Sequence, residues 1–338
     1  MSESEDKNAI GSEIGNGNSI EYLNSRQILF LFDARDCNPN GERETGFQGP
    51  RIDSHSRRAI ITDVSFKYMI RRHFLNKDKT QKNNILMRQS FKYKNGKEIP
   101  IKQNLMDIFD VSKKRLKNMS RKELIKLIET RFIDHRLFGS MFYVHRDLHA
   151  TTGPVQFQNT LSLNIPRIIR IPITSTLASE AGKGAGSMGR YSIIDYAIFP
   201  VYGIIKKSLS KYSGAQEEDY PNLLNAMWNG IKSHNTRTKF QQLPRLLLSI
   251  CPKDPRLQIP NIKNSIKLLD NNSSNFKECC FEIGGLIEII QKYGDEIFKI
   301  GYKEDKEITY YYEGEEFSSI KNTKKFVKSS LELYQINL

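Results

Sequence analysis

The chain has 338 residues, 38% of them hydrophobic and 10% aromatic, and a formal net charge of +14. That length suits one elaborated domain or two; the aromatic share argues against wholesale disorder and the low hydrophobic share for much exposed surface. No apolar run approaches the roughly 20 residues of a membrane-spanning helix, and Cys37, Cys251, Cys279 and Cys280 make no zinc pattern but suit free, part-buried thiols in a reducing cytosol.

Residues 1–24 read as a disordered acidic tail rich in Ser, Gly, Asn and Glu, too acidic for a signal peptide. Glu3, Glu5, Asp6, Glu13 and Glu21 stand against Lys7 alone, a net of −4, which leaves +18 for residues 26–338. A body that basic is the electrostatic footprint of a nucleic-acid partner, with a solubilising surface as the plainer alternative.

Arg26 to Arg35 is the first expected strand. Phe30 and Phe32 alternate on it and read as core rather than as platforms for bases. Asn38-Pro39-Asn40-Gly41 is turn chemistry, and a long polar loop containing Arg51 follows. A helix is expected from Thr62, its N-cap, to Leu75, with Lys67 and Arg71 four apart on one exposed face and Arg72 close by. Strand, open loop and cationic helix converge on one place, which suits an anionic polymer. The helix N-terminus favours anions, and Thr62 and Ser65 can add hydroxyl contacts.

After a polar break, Ile85 to Ile101 reads as a hairpin about Asn95-Gly96, and Ser120 with Glu123 as a capping box. Strands are expected at Val155–Ile165, Ile168–Ser175 and Tyr191–Tyr202, separated by a Gly-rich excursion from Ser179 to Gly189. That excursion spells GxGxxG, but strand-like residues follow it where a dinucleotide site needs a helix. Glu217 to Lys232 is an amphipathic helix whose Trp228 reads as core, and Arg245–Ile250 a further strand. The tail gives a strand near Phe281, a helix Gly285–Phe298, a strand Glu307–Tyr312 and a last amphipathic segment. The order strand, helix, two strands, helix, strand with large insertions is an α+β, ferredoxin-like pattern. RNA-recognition modules share it, but their RNP1 sequence is absent.

Two catalytic readings compete. His145 and His149 have HExxH spacing, but Arg146 stands where a zinc hydrolase needs its Glu. His135 reads as a packing or hydrogen-bonding residue. Asp33, Asp36, Glu42, Asp53 and Asp63 gather around the long polar loop after the first strand and are of the type that holds hard cations in a metal nuclease. Asp53, however, is expected to pair with nearby arginines.

"NPNG", "PRID" and "TDVSFKYMIRR", followed in order by "DHRLFG" from Asp134, "TGPVQF" from Thr152, "SMGR" from Ser187, "NTRTK" from Asn235 and "PRLLLSI" from Pro244, resemble the CRISPR-associated Cas-seven family in its type I-B form. The resemblance spans roughly residues 26 to 251 and leaves the last third unplaced. It implies an RRM-like palm from 25–76 and 151–338, a finger-like insertion at 77–150 and a thumb at about 176–190. It also implies a non-catalytic backbone subunit of Cascade that needs no cofactor, coats the guide RNA and stacks head-to-tail with copies of itself. Its partners would be that RNA, target DNA through the guide and the other Cascade subunits, in a prokaryotic cytoplasm and away from membranes. The expected RNA-binding residues are Asn38, Asn40, Arg51, Thr62, Ser65, Lys67, Arg71, Lys183, Met188, Arg190, Arg237 and Lys239. Met188 would wedge at a displaced base. Arg237 and Lys239 would touch either the RNA backbone or the next subunit. The related alternative is a metal-dependent RNase of the same family, and the unrelated one a stand-alone RNA-binding protein.

Overall fold

The first nine residues of strand β1 (Arg26–Cys37) are all buried, with no polar face left for solvent. A strand that reads as near-continuous apolar residues is covered on both sides, and β1 is the centre of the molecule. The computed structural model describes residues 21–41, 49–77, 85–87, 93–94, 97–98, 113–144, 147–174, 188–236, 239–323 and 331–338.

In chain order β1 is followed by helix α1 (Asp63–Lys77), then by α2 (Arg121–Arg131), α3 (Ile133–Phe138) and the hairpin of β2 (Gly139–Val144) and β3 (Asp147–Thr152). Next come β4 (Val155–Phe157), β5 (Ile168–Thr174), the long β6 (Met188–Ile205), α4 (Lys207–Ser213), α5 (Asp219–Ser233) and β7 (Gln242–Pro252). The remainder supplies β8 (Cys280–Glu282), α6 (Gly284–Tyr293), β9 (Ile297–Glu304), β10 (Thr309–Tyr312), β11 (Glu315–Phe317) and β12 (Glu332–Gln335).

The main sheet has the order β12-β9-β7-β1-β6-β4, with β5 pairing the outer half of β6. β1 is antiparallel to both neighbours, opposing Phe32 to Phe199 on one side and Phe30 to Leu247 on the other. Alternation along β1 sorts its side chains. Phe30, Phe32 and Ala34 meet Phe66, Met69 and Ile70 of α1 and Met227, Trp228 and Ile231 of α5. Leu29 and Leu31 face the other way, into a second core built with Ile262, Phe281, Leu286, Ile287 and Tyr310. Residues 253–323 therefore cover the sheet face opposite the helices.

Asp33 points into that second core. It accepts bonds from Arg245 Nη2 at 2.9 Å and from the Tyr196 hydroxyl at 3.1 Å. Burial pushes its carboxyl up, against the pull of Arg245. Arg245 also reaches Asp305 at 3.1 Å and lies 3.6 Å over the Phe276 ring, so one guanidinium ties β1, β7 and the C-terminal part together.

Several expectations stand and others shift. Phe30, Phe32 and Trp228 are core. Tyr93–Lys94 pairs with Lys97–Glu98 about the expected two-residue turn, whose own residues lie outside the described ones. Ser120 and Glu123 form both bonds of the capping box. The tail, expected to run to Asn24, is docked from Tyr22 onward where described. Tyr22 bridges to Gln216, Leu23 is fully buried and the Asn24 N–H donates to Glu217 at 2.9 Å. The helix expected to reach Phe298 ends at Tyr293, because Gly294 opens a turn into β9, whose Ile297 and Ile300 both enter the second core across an irregularity in the pairing with β7. The last amphipathic segment lies partly outside the described residues and then forms β12. No helix among the described residues is long and apolar enough to cross a membrane.

Candidate nucleic-acid interface

The Asn38–Gly41 turn closes on itself through Gly41 N–H to Asn38 C=O at 3.1 Å, with Gly41 at a φ of +64° that favours glycine. Asn40 turns its side chain onto the start of α1, where Oδ1 accepts from both the N–H and the hydroxyl of Thr62 at 2.9 Å. Thr62 caps the helix as expected, accepting from Ser65 N–H at 3.2 Å. The Ser65 hydroxyl donates back to the turn, at 2.8 Å to Asn40 C=O and 3.3 Å to Pro39 C=O. Beneath it, Lys239 Nζ donates to Ser65 Oγ at 3.0 Å and lies 5.8 Å from the Tyr68 ring centre. Burial lowers the Lys239 ammonium to about 8, and burial holds the nearby Cys37 thiol up at about 12. His234 is pushed down to about 4 by burial and by the charges of Lys239 and Arg72. Asn38 is buried, and its Oδ1 has no hydrogen-bond partner among the described residues.

Lys67 and Arg71 do not form an exposed face. Lys67 is 8% exposed; its Nζ reaches Asp63 at 3.3 Å and Gln156 at 3.1 Å, and burial lowers its pKa. Arg71 Nε donates to Asp134 at 3.1 Å, and both cations lie over the Phe138 ring. The cover is the DHRLFG segment itself. Asp134 also accepts the N–H groups of Leu86 and Met87, Arg136 grips Asp219 of α5 with two bonds of 2.8 and 2.9 Å, and His135 bonds Ser140 at 2.7 Å. This segment locks α1 to α5.

The exposed cations are others. Residues 51–60 fold into a tight projection. Ile60 N–H donates to Arg51 C=O at 2.7 Å, and Asp53 exchanges backbone bonds with Arg57 and Arg58 at 2.9 Å. Asp53, expected to pair with arginines, instead takes the N–H and hydroxyl of Ser56 at 2.7 and 2.6 Å, which lowers its pKa. Arg51 and Arg57 are exposed and Arg58 half-buried, with no ion pair among the described residues, and Arg57 sits at a φ of +62° that a non-glycine residue seldom adopts. Arg57 and Arg58 were missed from sequence; their signal is the SRR run directly after PRIDSH. Gly49, at the foot of this loop, lies against Ser192, which pairs with Arg170 on the β5/β6 ribbon. Arg190, one of the expected residues, is exposed on the same ribbon, opposite Pro172. Gly49 thus joins the foot of a loop that carries Arg51, Arg57 and Arg58 to a ribbon that carries Arg170 and Arg190.

Met188 begins β6, opposite Thr174, rather than lying in a loop. Lys183, Arg237, Glu42 and His145 lie outside the described residues. The remaining carboxylates of the nuclease reading are dispersed: Asp33 is held by Arg245, Asp36 lies 3.6 Å from Arg35, and Asp63 faces Lys67. Among the described residues no three His, Cys, Asp or Glu side chains are grouped to hold a metal ion. His149 stacks on His135 at 6.1 Å and bonds Thr151.

The family model of CRISPR-associated protein Cas7 matches residues 24–279, from the docked tail through the second core to Cys279. The protein CRISPR-associated protein Cas7 of Haloferax volcanii (strain DS2) is 26% identical over 302 residues, covering 81% of this chain and 85% of that protein. A chain of a solved "CRISPR RNA-guided surveillance complex, pre-nicking" shares the fold with a TM-score of 0.54 at 10% identity, over 92% of this chain and 96% of that one. A chain of a second solved "CRISPR RNA-guided surveillance complex" aligns at a TM-score of 0.47 and 12% identity, over 82% of this chain and 88% of that one. With its family match running through the turn, α1, the DHRLFG lock and the cationic ribbon, the chain belongs to the CRISPR-associated protein Cas7 family.

Proposed function

We propose that this protein is a non-catalytic backbone subunit of a type I CRISPR effector, binding guide RNA along the side formed by the 51–60 loop, the start of α1 and the β5/β6 ribbon. The observation that carries the reading is the junction at Gly49 and Ser192 of a loop bearing Arg51, Arg57 and Arg58 with a ribbon bearing Arg170 and Arg190, all five without ion pairs among the described residues, on a body of charge +18. Buried Asn40, Ser65 and Lys239, with half-buried Thr62, hold the turn, and the exposed arginines meet phosphate. Sequence is then read by base pairing of the guide, and the protein reads backbone.

The order β7-β1-β6-β4, with α1 and α5 on one face, supports an RRM-like palm. Residues 77–150 are its finger and 176–190 its thumb. The opposite face of the sheet, where RNA-recognition modules stack bases, is filled here by residues 253–323, which directs RNA to the loop side. Copies join head-to-tail, since such contacts do not close and so extend along a strand. The thumb reaches the neighbouring copy, and the other partners are the remaining Cascade subunits and, through the guide, target DNA.

The test is nuclease protection of guide-length RNA titrated with protein. Protection should grow in equal increments as copies add. Protection of one fixed segment at saturation would refute a repeating backbone.

A further inference from the structure

Lys239 is a strange place to put a charge. It is 7% exposed, and among the described residues the hydrogen-bond partner of its ammonium is the neutral Ser65 hydroxyl. A charge so placed costs folding energy that a neutral side chain would not. Its backbone is mounted separately, by reciprocal bonds with Thr236 of 2.9 and 3.1 Å and a third from Lys239 N–H to Thr236 Oγ1 at 3.1 Å. Its stem runs against the turn: a Cβ added at Gly41 would stand 2.5 Å from Lys239 Cε. From this mount a polar chain runs Lys239 Nζ–H to Ser65 Oγ, then Ser65 O–H to Asn40 C=O.

We propose that Lys239 is a positioning residue for the RNA surface, acting through Ser65 to fix the Asn38–Gly41 turn and the start of α1, and is not itself a ligand of the RNA. This rests on the RNA-binding reading above. An ammonium donating into Ser65 Oγ polarises the hydroxyl and strengthens its bond to Asn40 C=O, since linked hydrogen bonds reinforce one another. Asn40 in turn holds Thr62, so the set of the turn, and with it the cap of α1, follows from a residue in the connection between α5 and β7. Preorganising a surface raises affinity by reducing what must be ordered on binding. Lys239 thus contributes to RNA binding without neutralising a phosphate.

Salt dependence separates the two roles, because each phosphate neutralised on a single strand contributes a log–log slope of about −0.7. Polyuridine RNA of guide length is titrated over a salt series with wild type, Lys239→Met, Ser65→Ala and the double variant, and each protein is melted. Lys239→Met keeps the stem and should melt at or above wild type, lose roughly tenfold in affinity through poorer preorganisation, and keep the wild-type salt slope. Ser65→Ala should melt below wild type, because it takes a partner from the buried Lys239 ammonium, but should lose affinity to the same extent at the wild-type slope, and the double variant should bind no more weakly than Lys239→Met, because the two side chains act in one chain. A slope shallower by about 0.7 for Lys239→Met would make it a phosphate ligand and overturn the proposal. Unchanged affinity in either single variant, or losses that add, would overturn it too; Ser65→Ala decides the matter if Lys239→Met does not fold. Wild type failing to bind at all would remove the RNA reading itself, a result distinct from any of these.

Discussion

Arg71 sits 3.1 Å from a carboxylate with no solvent exposure, and its own side chain is 16% exposed. Removing it leaves Asp134 buried with two backbone donors and no counter-charge. Arg71→Ala should therefore destabilise the fold by about 3 kcal/mol, as broken buried pairs do, and chemical denaturation measures it; a loss within the range of a surface substitution, about 0.5 kcal/mol, would show that Asp134 does not depend on it. Sequence placed Lys67 and Arg71 on one side of α1 correctly, since that follows from helical spacing. Their burial was not legible, because Asp134, Phe138 and Gln156 come from far along the chain and nothing local announces them.

Lys239 makes a pH prediction. Its folded value is lowered from 10.5 to about 8 by burial, so between those values the unfolded chain binds the extra proton and stability rises with pH. The groups facing it are Ser65 and Tyr68 of α1, Cys37 of β1, and the nearby His234 and Arg72. Cys37 at about 12 and His234 at about 4 do not change charge in that window. The stability of wild type relative to Lys239→Met should therefore rise from pH about 8 to about 10.5. A constant difference across that range in denaturant titrations would mean the ammonium is not desolvated.

At the scale of elements, patterns complete within a few residues were readable. The capping box of α2 and the hairpin about Asn95-Gly96 are set by neighbours in sequence, and the apolar face of α5 by its period. The expected helix Gly285–Phe298 runs two residues into β9, because its apolar residues continue at helical spacing past Tyr293; the pairing of β9 with β7 decides. The β5/β6 ribbon carries exposed Arg170 and, two residues from its outer end, exposed Arg190. If the segment beyond it reaches a neighbouring copy, replacing residues 176–187 with a short Gly-Ser linker should spare single-copy binding to short RNA and abolish regular protection on long RNA. Regular protection by that variant would assign the neighbour contact to another element.

On the whole molecule, charge and cover are divided between two halves. Residues 253–338 hold thirteen basic and fourteen acidic side chains, so +19 of the charge lies in 26–252, the half that carries the loop, α1 and the ribbon. The near-neutral half covers the sheet and is latched by Arg245 between Asp33 and Asp305. Arg245→Ala should leave Asp33 uncompensated and loosen that cover, read as faster proteolysis within 253–323 at unchanged temperature. Cleavage confined elsewhere would show that the second core holds without the latch. The net charge and the motifs were visible in the sequence. The latch was not, since it joins three residues distant in the chain through one guanidinium.

The central claim is that RNA is held through its backbone by the exposed arginines of the 51–60 loop. The most direct measurement is the salt dependence of binding for guide-length RNAs of several sequences, with wild type and with Arg51→Ala/Arg57→Ala/Arg58→Ala. The expected result is one steep slope shared by all sequences, and a variant that melts near wild type with a slope shallower by up to about 0.7 for each phosphate contact removed. A flat salt response, a strong preference for one sequence, or a variant with the wild-type slope would contradict it.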